Sequence, residues 1–245
     1  MRDFISRAAR LWLRHWRPLY LRLPLLPPAF FCMILGYEVC NWINVTLGAP
    51  RWWSIPVATH WDWEIPFLPG SLPLYLSFIS FYFLPKALLR EPYRNEAYYA
   101  AMHQALQLTT LVSCVIFLLA PTPVELRVQA LTALDSAHLP HWLRAGCEGL
   151  FAIDGEYNAW PSLHVSQPLL IMLAVQQLRL FSPLLRRLLW LHWGLMALSV
   201  LTMKQHYLWD VFTAVLLAVT YWLVWLSPRL RAAVVPTRPQ MALGL

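Results

Sequence analysis

Charge is scarce in this chain. Of its 245 residues only 13% are Asp, Glu, Lys or Arg, against 59% that are apolar. A soluble domain carries about a quarter charged residues, so this composition excludes an ordinary water-soluble globular protein. Cysteine is scarce too. Cys32, Cys40, Cys114 and Cys147 show neither metal-ligand spacing nor the density of a disulfide framework. Three of them lie within apolar runs, where a thiol behaves as a small hydrophobe, and they say little about redox compartment. No soluble domain, internal repeat or low-complexity tract stands out. No apolar core precedes a small-residue cleavage site near the start, which argues against a cleaved signal peptide.

What the chain has in quantity is long apolar runs. A membrane span needs about 20 mostly apolar residues, and six stretches approach that length: 23–45, 72–89, 101–119, 161–177, 188–203 and 209–226. The expected fold is all-α, a polytopic membrane bundle of six transmembrane helices. Ahead of it, residues 1–20 alternate charge and bulk at helical spacing. Arg7, Arg10, Arg14 and Arg17 share one face, and Ile5, Ala8, Trp12 and Trp16 another. That pattern predicts an amphipathic helix lying on the membrane surface. Residues 21–228 then form the six-span domain and 229–245 a tail. Between the third and fourth spans, 124–139 and 141–152 are helix-like pieces parted by Pro140, expected to lie along the interface as a cap.

Smaller features have modest readings. Trp52, Trp53, Trp61 and Trp63 fall in the 48–70 loop, where aromatics favour the headgroup layer; a lining for a lipid access path is the alternative. Glu38 and Asn41 lie in the far half of the first span. An intramembrane acid is a functional candidate unless it sits at the interface. Asn44-Val-Thr46 matches a glycosylation triplet, a pattern frequent by chance.

The net charge is +7, and its placement explains it. With six spans, fifteen of the nineteen Lys and Arg residues fall in the N-terminal segment, the 86–100 turn, the 178–187 turn and the tail. Arg51, Arg127, Arg144 and Lys204 fall on the other side. By the positive-inside rule both termini are expected in the cytoplasm. The excess is a topology signal and calls for no nucleic-acid partner.

Two short stretches carry the chemistry, 154–164 (Asp-Gly-Glu-Tyr-Asn-Ala-Trp-Pro-Ser-Leu-His) and 204–210 (Lys-Gln-His-Tyr-Leu-Trp-Asp). Both are expected at the non-cytoplasmic edge. His206 and Asp210 are four apart, so on a helix they share a face, and a carboxylate beside an imidazole fixes its tautomer and supports its charge. With His164 as a second imidazole, the parts for nucleophilic attack and leaving-group protonation are present. Arg127 and Lys204, with Arg144 behind them, favour an anionic substrate, and phosphate is the obvious one. Ser162 and Leu163 open a helix whose free N–H groups add an anion site. Asp154, Tyr157, Asn158 and Tyr207 are secondary candidates.

At these residues the chain resembles a known family. Pro161-Ser162-Leu163-His164 and Ser199-x6-His206-x3-Asp210 resemble the second and third motifs of the type-2 phosphatidic acid phosphatase superfamily, which also holds the vanadium haloperoxidases. The variants Asn-Ala-Trp-Pro-Ser-Leu-His and Gln-His-Tyr-x-x-Asp are similar to the inositol-phosphorylceramide synthase-like branch. The resemblance implies that His206 attacks phosphorus to form a phosphohistidine, Asp210 orients it, and His164 protonates the departing oxygen. Backbone N–H groups around Ser162 would hold the nonbridging oxygens. It implies a membrane lipid phosphate as substrate, water or an acceptor lipid as the second reactant, and no metal or cofactor. The chain departs from the pattern at Leu163, where the family has Gly, and at Val200, where it has Arg. The first motif survives only as Arg127, with Ala120 at the lysine spacing and Val128 in place of proline. The phosphate site is therefore expected to be rebuilt on Arg127 and Lys204. The competing reading is a non-catalytic lipid-binding or scaffold protein on the same fold. A transporter is disfavoured because no paired broken helices meet at mid-membrane.

Overall fold

The computed structural model describes residues 28–48, 57–90, 92, 95–136 and 138–232. The expected amphipathic helix at 1–20, Trp52 and Trp53, and the end of the tail lie outside these residues. Among the described residues the regular elements are all helices, with one isolated bridge between Thr122 and Asn158.

α1 (Pro28–Thr46) is the first span. A short α2 (His60–Glu64) follows, its start tied by the Asp62 side chain turning back to Thr59. The second span, expected as one helix, is a chain of short pieces: a 3-10 turn Pro69–Ser71, α3 (Leu72–Leu76), α4 (Phe78–Phe81) and a 3-10 stretch Leu84–Leu89. Pro69, Pro73 and Pro85 each remove a backbone donor and crowd the preceding turn, which explains the breaks. α5 (Glu96–Leu119) begins earlier than the apolar run because Asn95 caps it, its side chain accepting from the Tyr98 N–H at 3.1 Å. α6 (Arg127–Ser136) and α7 (His141–Ile153) form the expected pair of short helices. α8 (Leu163–Gln177), α9 (Pro183–Thr202) and α10 (Leu208–Tyr221) follow, and a π-helical turn Trp222–Leu226 joins α10 to α11 (Ser227–Ala232).

Among the described residues, five segments are long and apolar enough to cross a membrane: Ala29–Thr46, Pro69–Leu89, Glu96–Leu119, Pro183–Thr202 and Leu208–Ala232. The chain is in this respect a multi-pass membrane protein. The fourth expected span, α8, is a helix of 15 residues, about 22 Å long at 1.5 Å per residue. It sits at the centre of the bundle, packed by α4, α5, α9 and α10. Its residues from Val165 to Met172 are all buried. Gln167 secures it: its amide donates to the Leu106 carbonyl at 3.1 Å and to Thr110 Oγ1 at 2.7 Å, and its oxygen accepts from the Tyr82 hydroxyl. Such interhelical bonds satisfy polar groups that burial would otherwise penalise.

Single residues bear on two of the minor readings. Asn44 is buried and donates to the Phe117 carbonyl at 2.9 Å, so it serves α1–α5 packing. Trp61 and Trp63 are exposed, as a headgroup belt requires.

Candidate active site

The nucleophile candidate is presented by a tight connection. After α9, Lys204 takes a left-handed conformation (φ 55°). The Lys204 N–H bonds the Leu201 carbonyl at 3.0 Å and the Gln205 N–H bonds the Val200 carbonyl at 3.2 Å. These two bonds make a Schellman motif, which usually has glycine at the left-handed position. The turn sends His206 out before α10 begins. The expectation that His206 and Asp210 share a helix face is therefore corrected: Tyr207 is the N-cap of α10, and His206 precedes the helix. The pair meets for a different reason. Asp210, in the first turn, folds back to accept the Tyr207 N–H at 2.8 Å, as in a capping box. This brings its Oδ2 to 3.4 Å from His206 Nδ1.

His206 Nδ1 also lies 3.0 Å from the Ala159 carbonyl. A carbonyl only accepts, so Nδ1 carries the proton and Nε2 is left with its lone pair. Nε2 faces His164 Nδ1 at 3.2 Å. The two imidazoles, 42 residues apart in the chain, thus meet ring edge to ring. The other nitrogen of His164, Nε2, lies 3.2 Å from the Tyr75 hydroxyl, which itself donates to Asp154 Oδ2 at 2.7 Å. The Tyr37 hydroxyl donates to the other oxygen of Asp154. Phe78 packs edge-on against the His164 ring, with centroids 4.5 Å apart.

The loops that carry these groups are tied together. The Tyr207 hydroxyl donates to the Pro123 carbonyl and accepts from the Glu125 N–H, both at 2.8 Å. The Thr122 N–H bonds the Tyr157 carbonyl at 3.0 Å, and Asn158 donates to the Tyr37 carbonyl at 2.7 Å. Tyr157, Asn158 and Tyr207 therefore hold the loops in place. Asp62 contributes from α2: its Oδ1 accepts the Leu208 N–H at 2.6 Å.

The three candidate cations have protein partners. Lys204 is fully buried and its Nζ donates to the Asp62 carbonyl at 2.8 Å. Burial pulls its ammonium below the ordinary lysine range, with the Asp62 charge opposing. Arg127 is buried, donating to the Phe151 carbonyl at 3.2 Å and to Gln205 Oε1 at 2.9 Å, with Glu156 at 3.6 Å. Arg144 donates to the Leu134 carbonyl and pairs with Glu148 at 3.7 Å. At the start of α8, Ser162 is the N-cap, Leu163 is the first helical residue, and the buried Ser162 hydroxyl has no hydrogen-bond partner among the described residues.

A cavity of about 410 Å³ opens onto this centre between α1, α3–α4 and α7, and its wall is almost wholly apolar. Phe30, Met33 and Ile79 line it, Gly149 leaves one side open, and His164 and Asp154 close its polar end. Glu38, the intramembrane acid, stands in the wall.

A comparison with protein-family models decides the kinship: the PAP2 superfamily matches residues 74–224. The chain belongs to the PAP2 superfamily. No curated protein and no solved structure matches it. The matched residues hold His164, His206, Asp210, Tyr75 and Asp154. Membership is consistent with a lipid phosphatase or phosphotransferase. Sequence reasoning missed several parts of this PAP2 site. Tyr75 and Tyr37 lie inside apolar spans and carry no local signal. Asp62 was legible in principle, since Thr59-x-x-Asp62 is a capping-box pattern.

Proposed function

We propose that this PAP2 protein is an integral membrane phosphoryl-transfer enzyme that acts on lipid phosphates through a phosphohistidine. The observation that carries the reading is the approach of His206 Nε2 and His164 Nδ1 to 3.2 Å, with Asp210 behind the first ring, at the polar end of an apolar cavity. The two rings part to admit phosphorus. His206 Nε2 attacks it, Asp210 and the Ala159 carbonyl support the charge that grows on the ring, and His164 Nδ1 protonates the leaving oxygen. Water or an acceptor lipid's hydroxyl then takes the phosphoryl group as His164 recovers the proton. The Ser162 hydroxyl and the first-turn N–H groups of α8, beginning at Leu163, hold the nonbridging oxygens. Lys204 and Arg127 lend positive charge from one layer further back and Arg144 from beyond them. The apolar cavity takes the lipid chain, which supports a membrane lipid over a soluble ester.

The motif variants support the inositol-phosphorylceramide synthase-like branch, in which an acceptor lipid replaces water. The charge excess supports cytoplasmic termini and a site on the periplasmic, extracellular or lumenal face. Purified protein with a labelled lipid phosphate, assayed with and without an acceptor lipid, tests the reading. An acid-labile phosphoenzyme lost in His206→Ala is expected. Free phosphate without acceptor supports a phosphatase; label moving only to the acceptor supports a transferase. The departures at Val200 and Leu163 favour one rival, a lipid-binding scaffold, for which His206→Ala leaves lipid turnover unchanged.

A further inference from the structure

The mechanism uses one carboxylate, Asp210, behind one imidazole. A second acid stands behind the other imidazole with no role so far. Asp154 ends α7 and accepts two tyrosine hydroxyls, those of Tyr37 and Tyr75. Tyr75 is fully buried, lies against the His164 ring with centroids 4.9 Å apart, and reaches both Asp154 and His164 Nε2.

The donor inventory orders the protons. The hydroxyl of Tyr75 has one proton, and the carboxylate takes it. Only lone pairs then remain to face His164 Nε2, so that nitrogen must bear a hydrogen. Nδ1 then faces the lone pair of His206 Nε2, and the proton it carries in the charged form of His164 is the one that can leave. We infer that Tyr75 and Asp154 are positioning residues that hold His164 as its Nε2–H tautomer and support its positive charge, a mirror of the Asp210–His206 unit across the site.

This inference rests on the phosphoryl-transfer reading for its purpose, though not for its geometry. In the first step the Nδ1 proton of His164 passes to the leaving oxygen as the P–O bond breaks and the P–Nε2 bond to His206 forms. Nε2–H stays in place, donating to Tyr75, and the Tyr75 proton stays on its own oxygen, directed at Asp154. In the second step neutral Nδ1 takes the proton of the attacking water or alcohol as the P–N bond breaks. No proton crosses the relay; it fixes which nitrogen trades protons and lowers the cost of the imidazolium.

The test uses full-length protein in lipid nanodiscs with 15N-histidine, the His164 signals being assigned by their loss in His164→Gln. Above neutral pH the Nε2–H tautomer is expected in the wild type, shifting to a mixture in Tyr75→Phe. An Nδ1–H tautomer in the wild type, or a tautomer unchanged in both Tyr75→Phe and Asp154→Asn, overturns the relay. In turnover, both variants are expected to slow a lipid phosphate about 10- to 100-fold while slowing an activated aryl phosphate less than about 3-fold. Equal slowing of both substrates marks a merely structural role and overturns the inference. Should the wild type turn over no lipid phosphate, the functional proposal falls, and the tautomer measurement still decides the relay by itself.

Discussion

At the scale of single residues the site divides into groups that react and groups that hold. His206→Ala is expected to remove the acid-labile phosphoenzyme and lower turnover by at least about a thousandfold, as loss of a nucleophile does; rapid acid quenching measures it. Asp210→Asn separates two duties of one side chain. An asparagine oxygen still accepts the Tyr207 N–H, so stability should fall by less than about 1 kcal/mol. The rate should fall at least about a hundredfold, since the imidazolium loses its counter-charge. Thermal unfolding beside a turnover assay checks both halves. Lys204 offers a third test. A left-handed non-glycine residue costs about 1 kcal/mol, and here the Nζ bond to the Asp62 carbonyl offsets it. Lys204→Gly relieves the backbone and loses the ammonium; Lys204→Ala loses the ammonium and keeps the strain. Lys204→Gly should therefore be the more stable by about 1 kcal/mol. Both should keep KM for the lipid phosphate within about threefold if the charge acts only from a distance. A large and equal rise in KM in both would instead mark a direct phosphate contact.

Among the elements, α7 and α1 are the ones the lipid-phosphate proposal puts to the test, because the apolar cavity lies between them and the broken second span. Gly149 lines that cavity, and a Cβ placed there meets nothing within 4 Å. Gly149→Leu therefore adds volume without clash and gains helix propensity of about 0.8 kcal/mol. It should fill space meant for the lipid chain, raising KM for a long-chain lipid phosphate about tenfold or more for some 60 Å² of lost apolar contact. A short-chain substrate should be little affected. By contrast Gly146 faces Leu72 at 2.7 Å from its notional Cβ, so substitution there should disturb helix packing first. The paired measurement distinguishes a chain-binding cavity from a packing defect. The apolar runs disclosed the helices, yet not this cavity. It forms because Pro69, Pro73 and Pro85 break the second span, and nothing in local hydropathy says which way the pieces turn.

For the whole molecule the question is sidedness. α8 carries Ser162 and His164 at one end and leads at the other to the turn at 178–182, after which Arg186 and Arg187 fall early in α9, so these two ends should face opposite compartments. Glu156 is exposed beside the site. In a background lacking the native cysteines, Glu156→Cys should react with an impermeant thiol reagent from the non-cytoplasmic side, and Arg187→Cys from the cytoplasm. The reverse labelling pattern would overturn the orientation drawn from the arginines. The packing of α8 explains why the expected fourth span does not resemble the other five. Wrapped by protein on its flanks, α8 needs no lipid-facing surface and can be short and polar at its heart.

Composition and spacing by themselves determined the membrane class and most helix positions, and they singled out the two histidines and Asp210 as candidates. Those properties follow from near neighbours along the chain: apolar runs, proline breaks and capping patterns act within a few residues. Only the tertiary structure decided what each group touches. It gave Lys204 and Arg127 to backbone carbonyls and Gln205. It moved His206 off the helix that spacing implied. It also joined Tyr75 to Asp154 across 79 residues. Contacts at that separation depend on how several helices pack at once, and no local pattern encodes that result.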